Sequence, residues 1–307
     1  MHEYMSKNAI TLIVGEQQHN HRLDVAITEL LVEKQSRSQI QKWIKQGLVI
    51  VNGKIETKRV PVVAGDVIQI QKEEVALSKK YMLSDINFLY ETKEYSIISK
   101  PSGLIVHPAP ATKGETLVDF LLDRYPDMRN IGEDPTRPGI VHRLDKDASG
   151  IMIVARTQNS FDHLKNQFKL HKVKKEYLIV VHGNVTPRQG IINASLIRSR
   201  NTGLFVAHKS GRAARTQYYV ERSSKKYSLV RVAPESGRTH QIRVHFFSRG
   251  FPLVGDKLYK REKEMPSFRL MLHASFLGFY DLLGEYHEYK SGPDQEFLDI
   301  VDTLMPS

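Results

Sequence analysis

The sequence predicts an α+β protein with two domains, and three observations support this fold class. The chain has 307 residues, which is enough for about two domains of ordinary size. Residues 17–75 show helical spacing of apolar residues and then two strand-like runs. From residue 88 onward, short strand-like runs are interrupted by fewer helical patterns without regular alternation, which favours α+β over a doubly wound sheet. We therefore expect a small domain in 1–80 and a larger one in 81–307.

The small domain is predicted to contain two short helices and a β-hairpin. Apolar residues at helical spacing mark the helices, namely Leu23, Ile27, Leu30 and Leu31 in the first and Ile40, Trp43 and Ile44 in the second. Either Ser36 or Ser38 is suited to cap the second helix. Strands at 48–51 and 67–70 follow, and Asn52-Gly53 is typical of a tight hairpin turn.

This pattern resembles the S4 RNA-binding domain. The resemblance rests on Arg22-Leu23-Asp24, Ser36-Arg37, the hairpin of 47–53 and Gly65-Asp66. In that family the second helix presents basic residues to RNA, which implies Arg37, Lys42 and Lys45 here. The alternative is an ordinary solvated helix face, which explains any single lysine better but the group less well.

The larger domain is predicted mainly from short apolar runs. A segment without a strong period, 76–87, indicates a linker before it. The predicted strands lie at 95–98, 150–155, 177–181, 218–220 and 228–232, and the predicted helices at 116–122, 160–170 and 237–247.

The charge indicates a polyanionic partner. The formal net charge is +11 and the isoelectric point is near 9.5, which favours nucleic acid over a membrane surface. The alternative is a basic protein without such a partner. Residues 163–175 contain no acid and residues 198–226 contain only Glu221. From these stretches we expect Lys172, Lys174, Arg212 and Arg215 to bind RNA phosphates.

Several classes of protein are excluded or disfavoured. The chain has no cysteine, which excludes disulfides, thiolate metal sites and cysteine nucleophiles. No run approaches the roughly 20 apolar residues of a membrane span, and the first residues lack the apolar core of a secretory signal. We therefore expect a cytoplasmic protein. His240 and His245 flank Arg243 at a spacing that suits packing or RNA contact better than zinc, so we predict no metal site.

The segment His142-Arg143-Leu144-Asp145 is the main candidate for chemistry. It follows the turn signal at 137–139 and precedes the apolar run 151–154. Arg143 and Lys146 flank Asp145, so its carboxylate should be ionised, and an ionised carboxylate in a cleft can act as a nucleophile. From spacing alone, an aspartate that caps a turn is the more frequent explanation.

Further segments favour the nucleophile. His142-Arg143-Leu144-Asp145 with Ser149-Gly150 resembles the signature of the RluA-type pseudouridine synthases, and other segments resemble that family in its order, namely 100–108, 175–183, 211–216, 236–259 and 269–274. The resemblance implies isomerisation of uridine in RNA, most of all 23S ribosomal RNA because members with an S4 domain are mostly ribosomal. It also implies a mixed, largely antiparallel sheet flanked by helices, a basic cleft, no cofactor and a monomer.

The resemblance also implies a role for individual residues. Asp145 would attack uracil C6 or ribose C1′, Arg238 would pair with Asp145 through its guanidinium, and Tyr177 would lie against the uracil ring. The alternative for Tyr177 is an ordinary tyrosine of the core.

The remaining residues of the implied site surround these three. Leu272 would form an apolar wall, Arg143 would fill the gap left by a flipped base, and Lys100 and His107 would line the rim. Ala148 stands where threonine is usual in the family, and we expect a small local cost from a lost turn hydrogen bond.

Three other interpretations stay open at this stage. His21-Arg22-Leu23-Asp24 repeats the four letters of the motif, but a helix continues after it, so we expect Asp24 to be structural or to face RNA. A non-catalytic RNA-binding or ribosome-assembly factor could keep the same scaffold. Hydrolysis of a glycosidic bond by Asp145 and Asp147 would need two carboxylates across the bond, at about 5 Å or more.

Overall fold

Backbone contacts divide the chain into two units, Met1–Lys80 and Tyr81–Ser307, and each unit has its own hydrophobic core. The computed structural model describes residues 3–5, 9–31, 35–45, 47–57, 60–71, 81–108, 112, 114–260 and 268–306. Of the linker predicted at 76–87, residues 76–80 lie outside these ranges. None of the helices in the described part of the chain combines the length and the apolar character needed to cross a bilayer.

In the first unit, two helices pack on an antiparallel sheet. Its elements are β1 (Glu3–Met5), β2 (Ala9–Ile13), α1 (Leu23–Leu30), α2 (Arg37–Lys45), β3 (Val49–Val51), β4 (Lys54–Ile55) and β5 (Val67–Gln71). Within the described residues the strand order is β1-β2-β5-β3-β4. The two predicted helices and the predicted hairpin are confirmed. Asn52 and Gly53 turn the hairpin with positive φ angles of 49° and 80°, as a tight two-residue turn requires.

Asp24 links the two helices of this unit. Its side chain is fully buried and accepts hydrogen bonds from Arg22 Nε (3.1 Å), Arg37 Nε (3.2 Å) and Gln41 Nε2 (2.7 Å). Burial works to raise the pKa of the carboxyl, but the hydrogen bonds from Gln41, Arg37 and Arg22 outweigh it and hold the pKa below 3.8. The structural role expected for Asp24 is therefore confirmed, because a carboxylate so enclosed has no free face for chemistry.

The second unit contains the larger sheet. Its strands are β6 (Asn87–Glu91), β7 (Tyr95–Lys100), β8 (Ser149–Ala155), β9 (Lys174–His182), β10 (Gln189–Asn193), β11 (Leu196–Arg198), β12 (Phe205–Ala207), β13 (Arg215–Ser223), β14 (Tyr227–Pro234), β15 (Leu272–Tyr280) and β16 (Tyr286–Lys290). Its helices are α3 (Leu117–Arg124), α4 (Gln158–Lys169), α5 (Gln241–Ser248) and α6 (Gln295–Leu304), and short 3₁₀ turns lie at Leu83–Asp85 and Pro126–Asn130.

The predicted sheet architecture is confirmed. In the described residues nine strands form one sheet in the order β10-β13-β14-β9-β15-β8-β7-β6, with β16 beside β15, and β11 and β12 form a separate hairpin. Neighbouring strands of the sheet are antiparallel, except that β8 and β15 run parallel. The predicted strands and helices of this unit are present, whereas β6, β10, β11, β12, β15, β16 and α6 were not predicted.

Helices cover both faces of the sheet, and this explains why its central strands are apolar throughout. On β9, Ile179 and Val181 face the core that α4 and α5 close, while Val180 faces Phe297 and Ile300 of α6. Successive residues of a strand point to opposite faces, so a strand covered on both sides needs apolar residues without alternation. The same holds for β8, which is buried along its whole length.

The hydrogen bonds of Asp24 predict its effect on stability. Replacing it by asparagine, D24N, removes the charge that three donors share, and we expect the free energy of unfolding of the first unit to fall by about 2 kcal/mol. Thermal and urea unfolding followed by circular dichroism would measure it. The control is E29Q, because Glu29 lies on the same helix in an exposed pair with His21 and should change stability by less than about 1 kcal/mol. Equal losses for D24N and E29Q would contradict the structural role.

Candidate active site

The loop that carries Asp145 ends where β8 comes very close to β15. Gly150 has a φ of +114°, and a Cβ at this position would lie 2.2 Å from the carbonyl oxygen of Ala274. Only glycine fits such an approach of two backbones. The Ser149-Gly150 pair therefore fixes where the loop joins the central sheet, and so fixes the position of the aspartate just before it.

Lys100 lies buried beneath this loop. The prediction that Lys100 lines the rim of the site was therefore wrong. Its side chain is 1% exposed, and its Nζ donates to the carbonyl oxygens of Pro101 (2.8 Å), Leu104 (2.9 Å) and Lys146 (3.0 Å). Burial lowers the pKa of the amine from 10.5 to about 7. Three carbonyl acceptors satisfy all three N–H donors of an ammonium group. The hydrogen bonds of Lys100 therefore hold the backbone of the loop in position.

Two neighbours of Asp145 also act as structural parts of the loop. His142 Nε2 accepts the backbone N–H of Ile153 (3.0 Å), and its ring stacks on Phe168. Burial lowers the pKa of His142 to about 3, so the imidazole is neutral near pH 7. Ala148 is buried, and its N–H donates to the carbonyl oxygen of Asp145 (3.2 Å). The turn therefore forms without the hydroxyl of the usual threonine.

Asp145 is held by Arg243. The distance from Arg243 Nη1 to Asp145 Oδ2 is 2.8 Å, and Asp256 binds the same guanidinium through both oxygens at 2.7 Å each. Burial works against the charged guanidinium, but Asp256 and Asp145 outweigh it and raise the pKa of Arg243 above its ordinary value. The carboxylate is therefore oriented by a cation that is itself fixed in place, which is the strongest form of such a pair.

The predicted partner, Arg238, does not make this salt bridge. Its Nε points to the carbonyl oxygen of Ala213 (3.4 Å), and its backbone N–H donates to Gln241 Oε1 (3.0 Å). The physical reason is the start of α5 at Gln241, after His240 with a φ of 55°. This turn leaves Arg238 before the helix and puts Arg243 inside it, on the side of Asp145. Arg238 still lines the cavity above Asp145.

His240 is a residue of the site that the sequence analysis considered only as a zinc ligand, a packing residue or an RNA contact, and not as a neighbour of Asp145. Its Nε2 lies 3.9 Å from Asp145 Oδ2, and its Nδ1 lies 2.9 Å from the hydroxyl of Tyr259. Burial lowers the pKa of His240 below 6.5, although Asp145 acts to raise it. A neutral imidazole therefore stands beside the carboxylate. The local feature that marks this position is the positive φ of His240 just before α5. A φ angle cannot be read from the sequence.

A cavity of about 510 Å³ opens above these groups, and Tyr177 and Leu272 form part of its wall. Tyr177 lies on β9, opposite Ala274 of β15. Burial, together with the charge of Asp145, raises the pKa of the Tyr177 phenol above 10, so the phenol is neutral near pH 7. Asp145 is the only carboxylate among the described residues that line this cavity. An aromatic face, an apolar wall and one oriented carboxylate thus surround the same space.

Arg143 and His107 lie together near the opening. The side chain of Arg143 is exposed and lines the cavity, and its Nη1 is 3.0 Å from His107 Nε2. The structure therefore puts Arg143 where a long cationic side chain can reach into the cavity or out to solvent.

Among the described residues, the two histidines considered for zinc do not belong to a group with metal-binding geometry. His245 is fully buried and contacts Thr216 Oγ1 (2.8 Å) and the carbonyl oxygen of Ala194 (3.0 Å). Packing, the preferred explanation for His245, is confirmed. Within the described ranges, the one group with metal-binding geometry is Asp281, Glu285 and His287. It lies at the β15–β16 turn, where backbone N–H groups and His287 already occupy the oxygens of Asp281.

Comparison with known proteins agrees with this geometry. The model of the RNA pseudouridylate synthase family matches residues 94–248, and the S4 domain model matches residues 22–68. The chain is 34% identical over 302 residues to the uncharacterized RNA pseudouridine synthase YlyB of Bacillus subtilis, which covers 97% of this chain and 98% of that protein. The chain belongs to the RNA pseudouridylate synthase family.

Other relatives and a solved structure support the same assignment. The synthase is 39% identical over 256 residues to ribosomal large subunit pseudouridine synthase D of Blochmanniella floridana, covering 81% of this chain and 78% of the relative. Among solved structures, human RNA pseudouridylate synthase domain containing 1 has a TM-score of 0.58 and 25% identity, over 70% of this chain and 85% of that one. The chain is thus an RNA pseudouridine synthase with an N-terminal S4 domain.

Of the basic residues predicted to bind RNA, Lys172, Lys174, Arg212 and Arg215 do not line the cavity of Asp145. On the synthase surface Lys45, Lys172 and Arg212 are exposed, Lys174 lies over the ring of Tyr286, and Arg215 pairs with Glu235 at 3.3 Å. Arg37 is half exposed but is bound to Asp24, and the side chain of Lys42 lies outside the described residues. These positions stay predictions, because surface position alone does not test a phosphate contact.

The salt bridge predicts different effects for the two arginines. We expect R243Q to lower kcat by roughly 100-fold or more, the usual cost of losing one fixed charge partner at a reacting group. R238Q, the control, should lower it less than about tenfold, because it removes a cavity-wall cation and leaves Asp145 oriented. R243K keeps the charge and tests for simple loss of folding. Uridine isomerisation in RNA would measure all three, and a larger loss for R238Q than for R243Q would contradict the assignment.

Proposed function

We propose that the synthase isomerises specific uridines of 23S ribosomal RNA with Asp145 as the nucleophile. The observation that carries the proposal is the 2.8 Å salt bridge that fixes Asp145 against Arg243 in a cavity walled by Tyr177. The ribosomal substrate is supported by relatives named ribosomal large subunit pseudouridine synthase D. The proposal implies action in the cytoplasm, where this RNA resides, and it includes a monomeric enzyme.

The target uridine has to leave its stack before a protein carboxylate can reach it. Neither C6 nor C1′ is accessible inside stacked RNA, so the nucleotide must be flipped into the cavity. Arg143 is exposed at the opening beside His107 and can occupy the space that the base vacates. The flipped uracil then lies against the ring of Tyr177, with Leu272 in the same wall.

The reaction moves bonds within one nucleotide. An oxygen of Asp145 attacks C6 or C1′, the N1–C1′ bond breaks, the base rotates, and C5 bonds to C1′. The bond between Asp145 and the nucleotide then breaks, which returns the free carboxylate. The hydrogen on C5 leaves as a proton while N1 gains one, so electrons and atoms balance without an oxidant or reductant. The Tyr177 phenol is neutral near pH 7 because burial raises its pKa, and a neutral phenol can hold or donate a proton beside the ring.

Glycosidic hydrolysis is less well supported. A glycoside hydrolase uses two carboxylates across the bond, whereas Asp145 is the only one among the described residues that line the cavity. The side chain of Asp147 does not belong to that lining, and its backbone carbonyl is bound by Ser102 Oγ at 2.7 Å.

A factor that only binds RNA would gain nothing from the Asp145–Arg243–Asp256 chain of charges.

The nucleophile can be tested directly. We expect D145N to lower isomerisation roughly 10,000-fold or more, because the amide removes the attacking oxygen anion. The substrate is a 23S rRNA transcript labelled with tritium at uridine C5, and tritium release to water measures the reaction.

A neighbouring carboxylate supplies the matched control. D147N changes the same charge in the same loop and should retain activity, since Asp147 lies outside the cavity. Full activity in D145N would refute the nucleophile. Hydrolysis would be favoured if the unaltered protein released free uracil and D147N lost that activity. Isomerisation of transfer RNA but not of 23S rRNA would refute the proposed substrate.

A further inference from the structure

A second cavity of about 1010 Å³ adjoins the cavity of Asp145. The two cavities share the lining residues His171, Lys175, Pro234 and Ser236. The shared boundary therefore contains a lysine and a histidine and no carboxylate. A chain that enters one cavity can continue into the other only past these four residues.

Lys175 stands at this boundary, and among the described residues its cationic group has no anionic partner. Within the part of the chain that the structure describes, its Nζ makes no hydrogen bond or ion pair. The amine lies 5.9 Å from the ring centroid of Phe168, near the limit of a cation–π contact. A Cβ on Gly237, which lines the cavity of Asp145, would be 3.7 Å from Nζ, so the amine lies beside the wall of that cavity. Burial lowers the pKa of Lys175 to about 8.

An amine in this position favours an anionic ligand. A cation removed from water without a partner is costly, and an approaching anion relieves that cost. The carboxylates nearby are already engaged. Asp145 is bound to Arg243, Glu235 is bound to Arg215 and Gln217, and Glu176 lies 3.7 Å from Arg231. Glu288 lines the second cavity together with the cations Lys174 and Lys290.

We propose that the RNA strand leaves the active site over Lys175, whose amine binds a backbone phosphate, and continues into the second cavity. The inference rests on the proposed function, because the strand is the one whose uridine lies against Asp145. The inference adds the path by which the RNA strand leaves the active site and one phosphate contact on that path.

The position of Lys175 on its strand favours phosphate over base. Lys175 and Tyr177 are two residues apart on β9 and thus lie on the same face, about 7 Å apart. The base of the flipped nucleotide occupies the face of Tyr177, deep beside Asp145. The negative charge of RNA lies on its phosphates, and contacts to phosphates position the chain without reading its sequence. A cation at the cavity boundary is therefore placed to meet the backbone.

The salt dependence of binding tests the contact. A phosphate contact releases counterions, so K175Q should reduce the slope of log Kd against log salt by about 0.7 to 0.9. We also expect Kd for a 23S rRNA transcript to rise about fivefold, a typical cost of one lost phosphate contact. Filter binding of the full-length chain between roughly 50 and 200 mM KCl measures both. In turnover assays the loss should fall on KM more than on kcat.

Two variants serve as controls. K175R keeps a cation and should retain most of the slope. K225Q removes the same charge from an exposed lysine near the start of β14, where Tyr227 pairs with His182 at the far end of β9. That position is about 23 Å along the strand from Lys175, so K225Q should bind as the unaltered protein does.

The outcomes separate this inference from the proposed function. An unaltered slope in K175Q, or equal losses in K175Q and K225Q, would overturn the phosphate contact. A fall in kcat without a change in slope would indicate that the amine contacts the base, and this result would also overturn the phosphate contact. Failure of the unaltered protein to isomerise 23S rRNA would count against the proposed function, whereas the slope is measured by binding alone.

Discussion

Arg243 carries its charge between two carboxylates, Asp145 and Asp256, and the arrangement of the site follows from this. Asp256 takes two donors of the guanidinium and also accepts the backbone N–H groups of Leu258 and Tyr259. The third nitrogen of the guanidinium, Nη1, donates to Asp145 at 2.8 Å. Among the described residues, Arg243 and His240 both meet Asp145 through Oδ2. The salt bridge therefore holds the carboxylate through Oδ2 and fixes its orientation.

The sheet brings these parts together from distant stretches of the chain. The loop of Asp145 runs into β8, Tyr177 lies on β9, and Leu272 begins β15, which separates β8 from β9 in the sheet. The pairing of β8 with β15 is parallel and short, and it begins at Ser149 and His273. Ser149 Oγ contacts His273 Nδ1 at 2.9 Å. The end of the catalytic loop is therefore tied by backbone and side chain to the strand that supplies the apolar wall.

The sequence predicts the fold class and the central residues well, because those depend on local patterns. Period and turn signals mark the helices and strands, and the motif marks Asp145 and Tyr177. The errors concern side-chain direction. Choosing Arg243 over Arg238 requires knowing that α5 starts at Gln241 after a residue with positive φ. Placing Lys100 requires knowing that three backbone carbonyls converge on its amine. Both depend on the tertiary path of the loops, which residue spacing does not encode.

Helix α6 shows how a distant element supports the site. Phe297 is fully buried in the cluster that also holds Val180 of β9, on the face opposite Tyr177. The strand that carries Tyr177 in the cavity wall is therefore backed by helix α6. Loss of these final residues, by premature termination or proteolysis, would expose the rear of that strand to water. Such a truncated protein would retain every described residue of its cavity lining and still lose the packing that holds the strand of Tyr177 in place.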